Sequence, residues 1–235
     1  MTLPTINVPT YELEVPSTKE KITYRPFLVK EEKILLTAME TGGEPNDLIR
    51  ALKQIITNCV TSEVNIDLLA TFDLEYIFLN LRARSVGEIA KVSILCPDDE
   101  ETPVEVEIPL EEIKVDFPKG HSNKIQLTDT IGLTMKYPDF TIASLEGGDR
   151  TTEYMFNVIK RCIVQITEGE QIFEQVDFSD KELDDFIDSL STKQLEGVQN
   201  FFDTMPKLKH EVKVTNPKTK KKSTVVLEGL DAFFE

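Results

Sequence analysis

The chain has 235 residues, with 26 Lys and Arg against 42 Asp and Glu for a formal charge of −16, and 40% hydrophobic residues. That hydrophobic content excludes a chain disordered throughout, and the acid excess disfavours a nucleic-acid partner, whose phosphates need a basic surface. The charge is uneven, −3 over residues 1–85, −8 over 86–148, −8 over 149–206 and +3 over 207–235, which suits basic protein partners or solubility at high concentration.

Cys59, Cys96 and Cys162 are odd in number and widely spaced, giving neither a disulfide framework nor a zinc spacing. The N-terminus lacks a basic region followed by an apolar one, and no stretch reaches about 18 consecutive apolar residues. A soluble intracellular protein with no membrane contact is expected.

In chain order, Tyr11–Pro16 and Ile22–Phe27 alternate around "STKEK" and read as a β-hairpin whose second strand ends at Pro26. From Lys30 a helix carries Ile34, Leu35, Ala38 and Met39 on one stripe and stops at Gly42-Gly43. "EPNDLIRALKQIITNCV" places Leu48, Ile49, Leu52, Ile55, Ile56 and Cys59 on one face, and "FDLEYIFLNLRARS" spaces Leu74, Ile77, Phe78 and Leu81 for a third helix. From Val86 the period changes to two, with strands in "EIAKVSIL", "TPVEVEIPLEEIKV" and "KIQLTDTIGLTMKYP". Helical spacing returns in "TTEYMFNVIKRCIVQI", with Met155, Ile159, Cys162, Ile163 and Ile166 on one face. Ser179-x-x-Glu182 and Ser191-x-x-Gln194 open two further helices as capping boxes. The C-terminus reads as a hairpin with a Lys-rich tip, Val212 and Val214 facing Val225 and Leu227.

Candidate chemistry is sparse. His121 and His210 are far apart and read as turn and surface residues, and Cys59 and Cys162 fall on apolar helix faces. Cys96-Pro97 has no second cysteine two to four residues on, so it lacks a zinc donor set. The nine acids between Asp98 and Asp116 lack an EF-hand's glycine and spacing and read as a solvated face. No catalytic, cofactor-binding or metal residue is assigned, and an interaction protein leads a carboxylate-dependent cell-wall hydrolase and a nucleic-acid binder.

"KITYRPFLVKEEKILL" (21–36), "TFDLEYIFLNLRARSVGE" (71–88) and the closing "LEGLDAFF" (227–234) together resemble the baseplate protein family of contractile-tailed, T-even-type phages. The resemblance implies a non-enzymatic baseplate hub subunit, or a hub assembly factor, in the virion tail baseplate and in the host cytoplasm during assembly. It implies no cofactor, and partners among other hub or tail proteins. A transient chaperone for the tape-measure protein, absent from the mature virion, is the alternative, and self-association stays open. Relatives are expected to carry Cys-Pro-x-x-Cys-like knuckles, which this chain lacks at Cys96-Pro97 and Asn216-Pro217.

The fold expected is α+β: an N-terminal β-hairpin and helical unit over 1–85, an antiparallel β region over 86–138, a helical unit over 139–206, and a C-terminal β-hairpin over 207–235 able to join the central sheet. Phe27 with Leu28 is expected to staple the first helix. The charged Arg25, Lys30, Glu31, Glu32 and Lys33 are expected to meet another tail protein, with Phe201, Phe233 and Phe234 as exposed apolar anchors.

Overall fold

The computed structural model describes residues 7–40, 45–143 and 151–233. The chain is α+β, and its backbone divides into unit 1, residues 1–116 and 207–235, and unit 2, residues 117–206. The expected segment 86–138 is therefore divided at Asp116, and the C-terminal hairpin belongs with the N-terminal half.

In unit 1, β1 (Tyr11–Glu14) pairs with β2 (Lys21–Tyr24), Tyr11 opposite Tyr24. Helices α1 (Val29–Glu40), α2 (Pro45–Cys59) and α3 (Thr71–Ser85) follow. The expected Gly42-Gly43 stop lies outside the described residues. Hairpin β3 (Ile89–Leu95) and β4 (Pro103–Pro109) comes next, then β5 (Lys114–Asp116). After unit 2 the chain returns as β10 (Lys207–Thr215), which pairs with β5 on one edge and β11 (Lys222–Glu228) on the other. In α3, Phe72, Ile77, Phe78, Leu79 and Leu81 are all buried, so apolar side chains surround much of the helix, as in a central rather than a surface helix. It contacts α2, β5 and β10.

The three hairpins of unit 1 turn in one way. Each begins with a buried residue followed by proline, Val15-Pro16, Cys96-Pro97 and Asn216-Pro217, and reaches a positive-φ residue at the same offset: Lys19 (62°), Glu100 (55°) and Lys220 (63°). In each, that residue's N–H donates to the C=O of the buried one, at 2.8–2.9 Å. Proline fixes φ at the start of the bend. The first turn is held from α3, where the buried Asp73 carboxylate accepts the Ser17 N–H at 2.9 Å and the Ser17 hydroxyl.

Unit 2 holds a four-stranded antiparallel sheet in the order β6 (Lys124–Gln126), β7 (Ile131–Met135), β8 (Ile163–Glu168), β9 (Gln171–Glu174). Its helices are α4 (Phe140–Ala143), α5 (Thr152–Cys162), α6 (Asp180–Asp188) and α7 (Thr192–Asp203). Both expected capping boxes form. The helix expected to run through Ile166 instead ends at Cys162, and Ile163 begins β8. Ile163, Val164, Ile166 and Thr167 are β-branched, which favours a strand once β7 offers a partner. Met155, expected in the core, is exposed.

Phe201 and Phe233, expected as exposed anchors, are each only 1% exposed. On α7 the buried positions are Val198 and Phe201. Phe201 stacks with Tyr137 (5.7 Å between centroids), lies 5.3 Å from His121 and meets Phe202 edge-on at 5.1 Å. Phe233 follows Leu230 into the core of unit 1, its N–H donating to the Leu230 C=O. Phe234 lies outside the described residues. Truncating Phe201 leaves a cavity among aromatic rings, so Phe201→Ala is expected to cost about 3–5 kcal/mol in urea unfolding.

Candidate functional site

The Tyr24–Lys33 stretch is built by three chain ends meeting. Tyr24 bridges Val60, the Arg25 N–H donates to the Cys59 C=O at 2.9 Å, and the Thr61 N–H donates to the Thr23 C=O at 2.8 Å. Strand β2 is thus fastened to the segment leaving α2. The Phe27 N–H donates to Ser85 Oγ at 2.9 Å, and its ring stacks on Phe78 at 6.5 Å, which brings in α3. Phe27 is buried as a staple requires, but Leu28 is 41% exposed.

Arg25 and Glu31 close this junction. The guanidinium donates to both Glu31 carboxylate oxygens, at 3.0 and 3.3 Å, and to the C=O groups of Pro26 and Asn58 at 2.9 Å. Asn58 lies in the last turn of α2, where unpaired carbonyls and the helix dipole favour a cation. Glu31 is fully buried, and its Oε2 accepts the Leu28 N–H at 2.9 Å, half of a capping box at the start of α1. Burial alone would raise the Glu31 pKa. The hydrogen bonds from Arg25 and the Leu28 N–H, aided by Lys30, bring it below the ordinary carboxylate value. Arg25 and Glu31, read from the sequence as partner-facing, are therefore committed inside the molecule. Lys30, Glu32 and Lys33 are exposed, Lys30 within 3.4 Å of Glu31.

Beside them lies an apolar surface that sequence reasoning passed over. Val29 is 65% and Leu36 51% exposed, seven residues apart and so on one face of α1, with Glu32 and Lys33 between them. Leu28 and Val86, next in sequence to the hydrogen-bonded Phe27 and Ser85, are exposed as well. The i, i+7 spacing of Val29 and Leu36, off the Ile34–Leu35–Ala38 stripe, was the available signal.

The other candidates carry structure. The Cys96–Thr102 and Asn216–Lys221 turns face each other: Asn216 Nδ2 donates to Asp98 at 3.0 Å and Asp99 at 2.9 Å, and the Thr219 hydroxyl donates to Asp98. Asp99 also accepts from the Thr102 hydroxyl and N–H, and these bonds with Asn216 hold its pKa well below the usual carboxylate range. Two acids expected on a solvated face thus tie two turns together. Among the described residues no group of three His, Cys, Asp or Glu side chains is placed to hold a metal. All three cysteines are buried, and burial pushes the Cys59 thiol to about 11 and Cys162 to about 12, so both stay protonated at neutral pH. His121, half-buried at the end of a turn as expected, rests its ring against Tyr137 and Phe201, with Nδ1 2.9 Å from Thr204 Oγ1.

The stretches 21–36, 71–88 and 227–234 meet in unit 1: Phe27, Ile77, Phe78, Leu81, Leu227, Leu230 and Phe233 share one buried cluster. The sequence model of the family described as T4 bacteriophage base plate protein matches residues 8–235. The chain belongs to that family. No curated protein and no solved structure matches it. A baseplate component works in contact with other phage tail proteins, and this one is placed in the virion tail baseplate by its family.

Arg25→Lys keeps the charge but loses the two-pronged geometry, and it is expected to lower the stability of the base plate protein by about 1–2 kcal/mol in urea titrations. Glu31 has a lowered folded pKa, so its contribution is present above the unfolded value of about 4.3 and lost as pH falls through the folded one. The stability gap between wild type and Glu31→Gln is expected to be constant above about pH 5 and to narrow below about pH 4. Burial raises the Asp73 pKa, giving the opposite pH dependence, but Asp73 is common to both proteins and cancels from the gap.

Proposed function

We propose that this base plate protein is a non-enzymatic subunit of the baseplate hub, or the factor that assembles the hub, and that it acts through protein contacts on the outer face of α1. The observation that carries this reading is the Val29–Leu36 surface. Two large apolar side chains stand exposed on a helix whose first turn is pinned by a buried ion pair. Rigid apolar anchors with charged neighbours lose little conformational entropy on association, which is how interface hot spots work. Lys30, Glu32 and Lys33 would supply the polar rim and the register.

The hub assignment rests on the sequence resemblance, and family membership supports the baseplate role. In this reading the protein resides in the host cytoplasm until the hub assembles, with hub or tail proteins as partners. A release role toward the tape-measure protein would use the same surface.

Quantitative peptide mass spectrometry of purified particles beside infected-cell lysate separates these roles. A hub subunit is expected in particles in fixed ratio to the tube protein, whereas an assembly factor is abundant in lysate and absent from particles. Abundance in neither would overturn the reading. Val29→Asp with Leu36→Asp is expected to leave the melting temperature within about 2–3 °C of wild type and to abolish incorporation.

A further inference from the structure

The β8–β9 hairpin of unit 2 presents an edge that the α1 surface does not explain. Among the described residues β9 pairs on one side only, with β8. The Gln175 N–H donates to the Val164 C=O, and Phe173 stands opposite Ile166. In an antiparallel ladder this parity turns the backbone groups of Gln171 and Phe173 toward β8 and those of Ile172 and Glu174 away from it. The outward groups of Glu174 are already occupied: its N–H donates to Asp177 Oδ2 at 2.7 Å and its C=O accepts the Asp177 N–H at 2.8 Å. Among the described residues, those of Ile172 have no such closure.

Side chains around this opening combine two properties. Ile172 is 59% and Val176 91% exposed, and Phe173 is partly so. No basic residue occurs between Arg161 and Lys181, while Glu168, Glu170, Glu174, Asp177 and Asp180 are all exposed acids. Acids beside a bare edge repel a second copy of a chain whose own charge is −16, and they attract a strand of opposite sign.

We infer that this edge docks an extended basic segment of another protein, one that alternates Lys or Arg with apolar side chains. Such a segment adds main-chain hydrogen bonds at Ile172, sets apolar side chains beside Ile172 and Val176 on one face, and turns its basic ones to the other, within the field of the surrounding acids. The site lies in unit 2 and shares no residue with the α1 surface, so its failure would leave the proposed function standing.

The test uses the full chain and two labelled eight-residue peptides of equal charge, one alternating Lys with Val and the other Lys with Ser, followed by fluorescence anisotropy across a salt series. The Lys-Val peptide is expected to bind at least about tenfold more tightly. Ile172→Ser with Val176→Ser is expected to remove that difference, and Glu170→Gln with Glu174→Gln to weaken both peptides and flatten the salt dependence. These side chains are exposed, and unchanged thermal melts would confirm that the variants fold. Equal binding of the two peptides, or a Lys-Val affinity indifferent to the Ile172 and Val176 changes, would reduce the attraction to general charge and overturn the inference. Sedimentation showing self-association lost in Ile172→Ser/Val176→Ser would overturn it too, by making the occupant a second copy.

Discussion

The bidentate contact between Arg25 and the buried Glu31 is the constraint on which unit 1 depends. A two-stranded hairpin such as β1–β2 is marginal in water by itself. Backbone bonds tie it to the segment leaving α2, and from that junction Arg25 reaches the last turn of α2 through Asn58 and the first turn of α1 through Glu31. The same few residues bring Phe27 onto Phe78, so α1, α2 and α3 are oriented from one point. Neither charge is tolerable there alone, since an unpaired buried carboxylate costs several kcal/mol.

That arrangement gives a physical sense to the family match. The stretches that carry the resemblance lie far apart in the chain but close into a single core, so their apolar residues answer to packing. On the same helix Val29 and Leu36 stand exposed beside Glu32 and Lys33, the surface proposed above for contact with other tail proteins. Unit 2 has a separate core around Phe201, Ile163 and Leu133, and its β8–β9 hairpin carries acids with no basic residue between Arg161 and Lys181.

Much of the fold could be read from local patterns. The amphipathic α2, the capping boxes of α6 and α7, and the alternating hairpins announce themselves because their signals span only a few residues. The passage from α5 to β8 did not, because Ile159, Cys162, Ile163 and Ile166 fit a helical stripe, and only pairing with β7 makes a strand of the last part. Phe201 and Phe233 were misplaced because a large apolar residue off a stripe looks the same whether a distant segment covers it or not. The shared Val15-Pro16, Cys96-Pro97 and Asn216-Pro217 turn was visible as X-Pro before a charged residue at fixed offset, but the intervening residues differ in chemistry. The candidate site was half legible. Its location was read from "TYRPFLVKEEK", but charge was equated with the surface, which hid the internal use of Arg25 and Glu31 and the exposed Val29 and Leu36.

Arg25 and Glu31 act as one unit inside the fold. A double-mutant cycle with Arg25→Ala, Glu31→Ala and both, read by urea unfolding at neutral pH, tests it most directly. Each single variant is expected to be destabilised and the double variant to recover part of the sum, with a coupling energy of about 1–3 kcal/mol. Additive effects within about 0.3–0.5 kcal/mol would contradict it, since two independent surface charges behave that way.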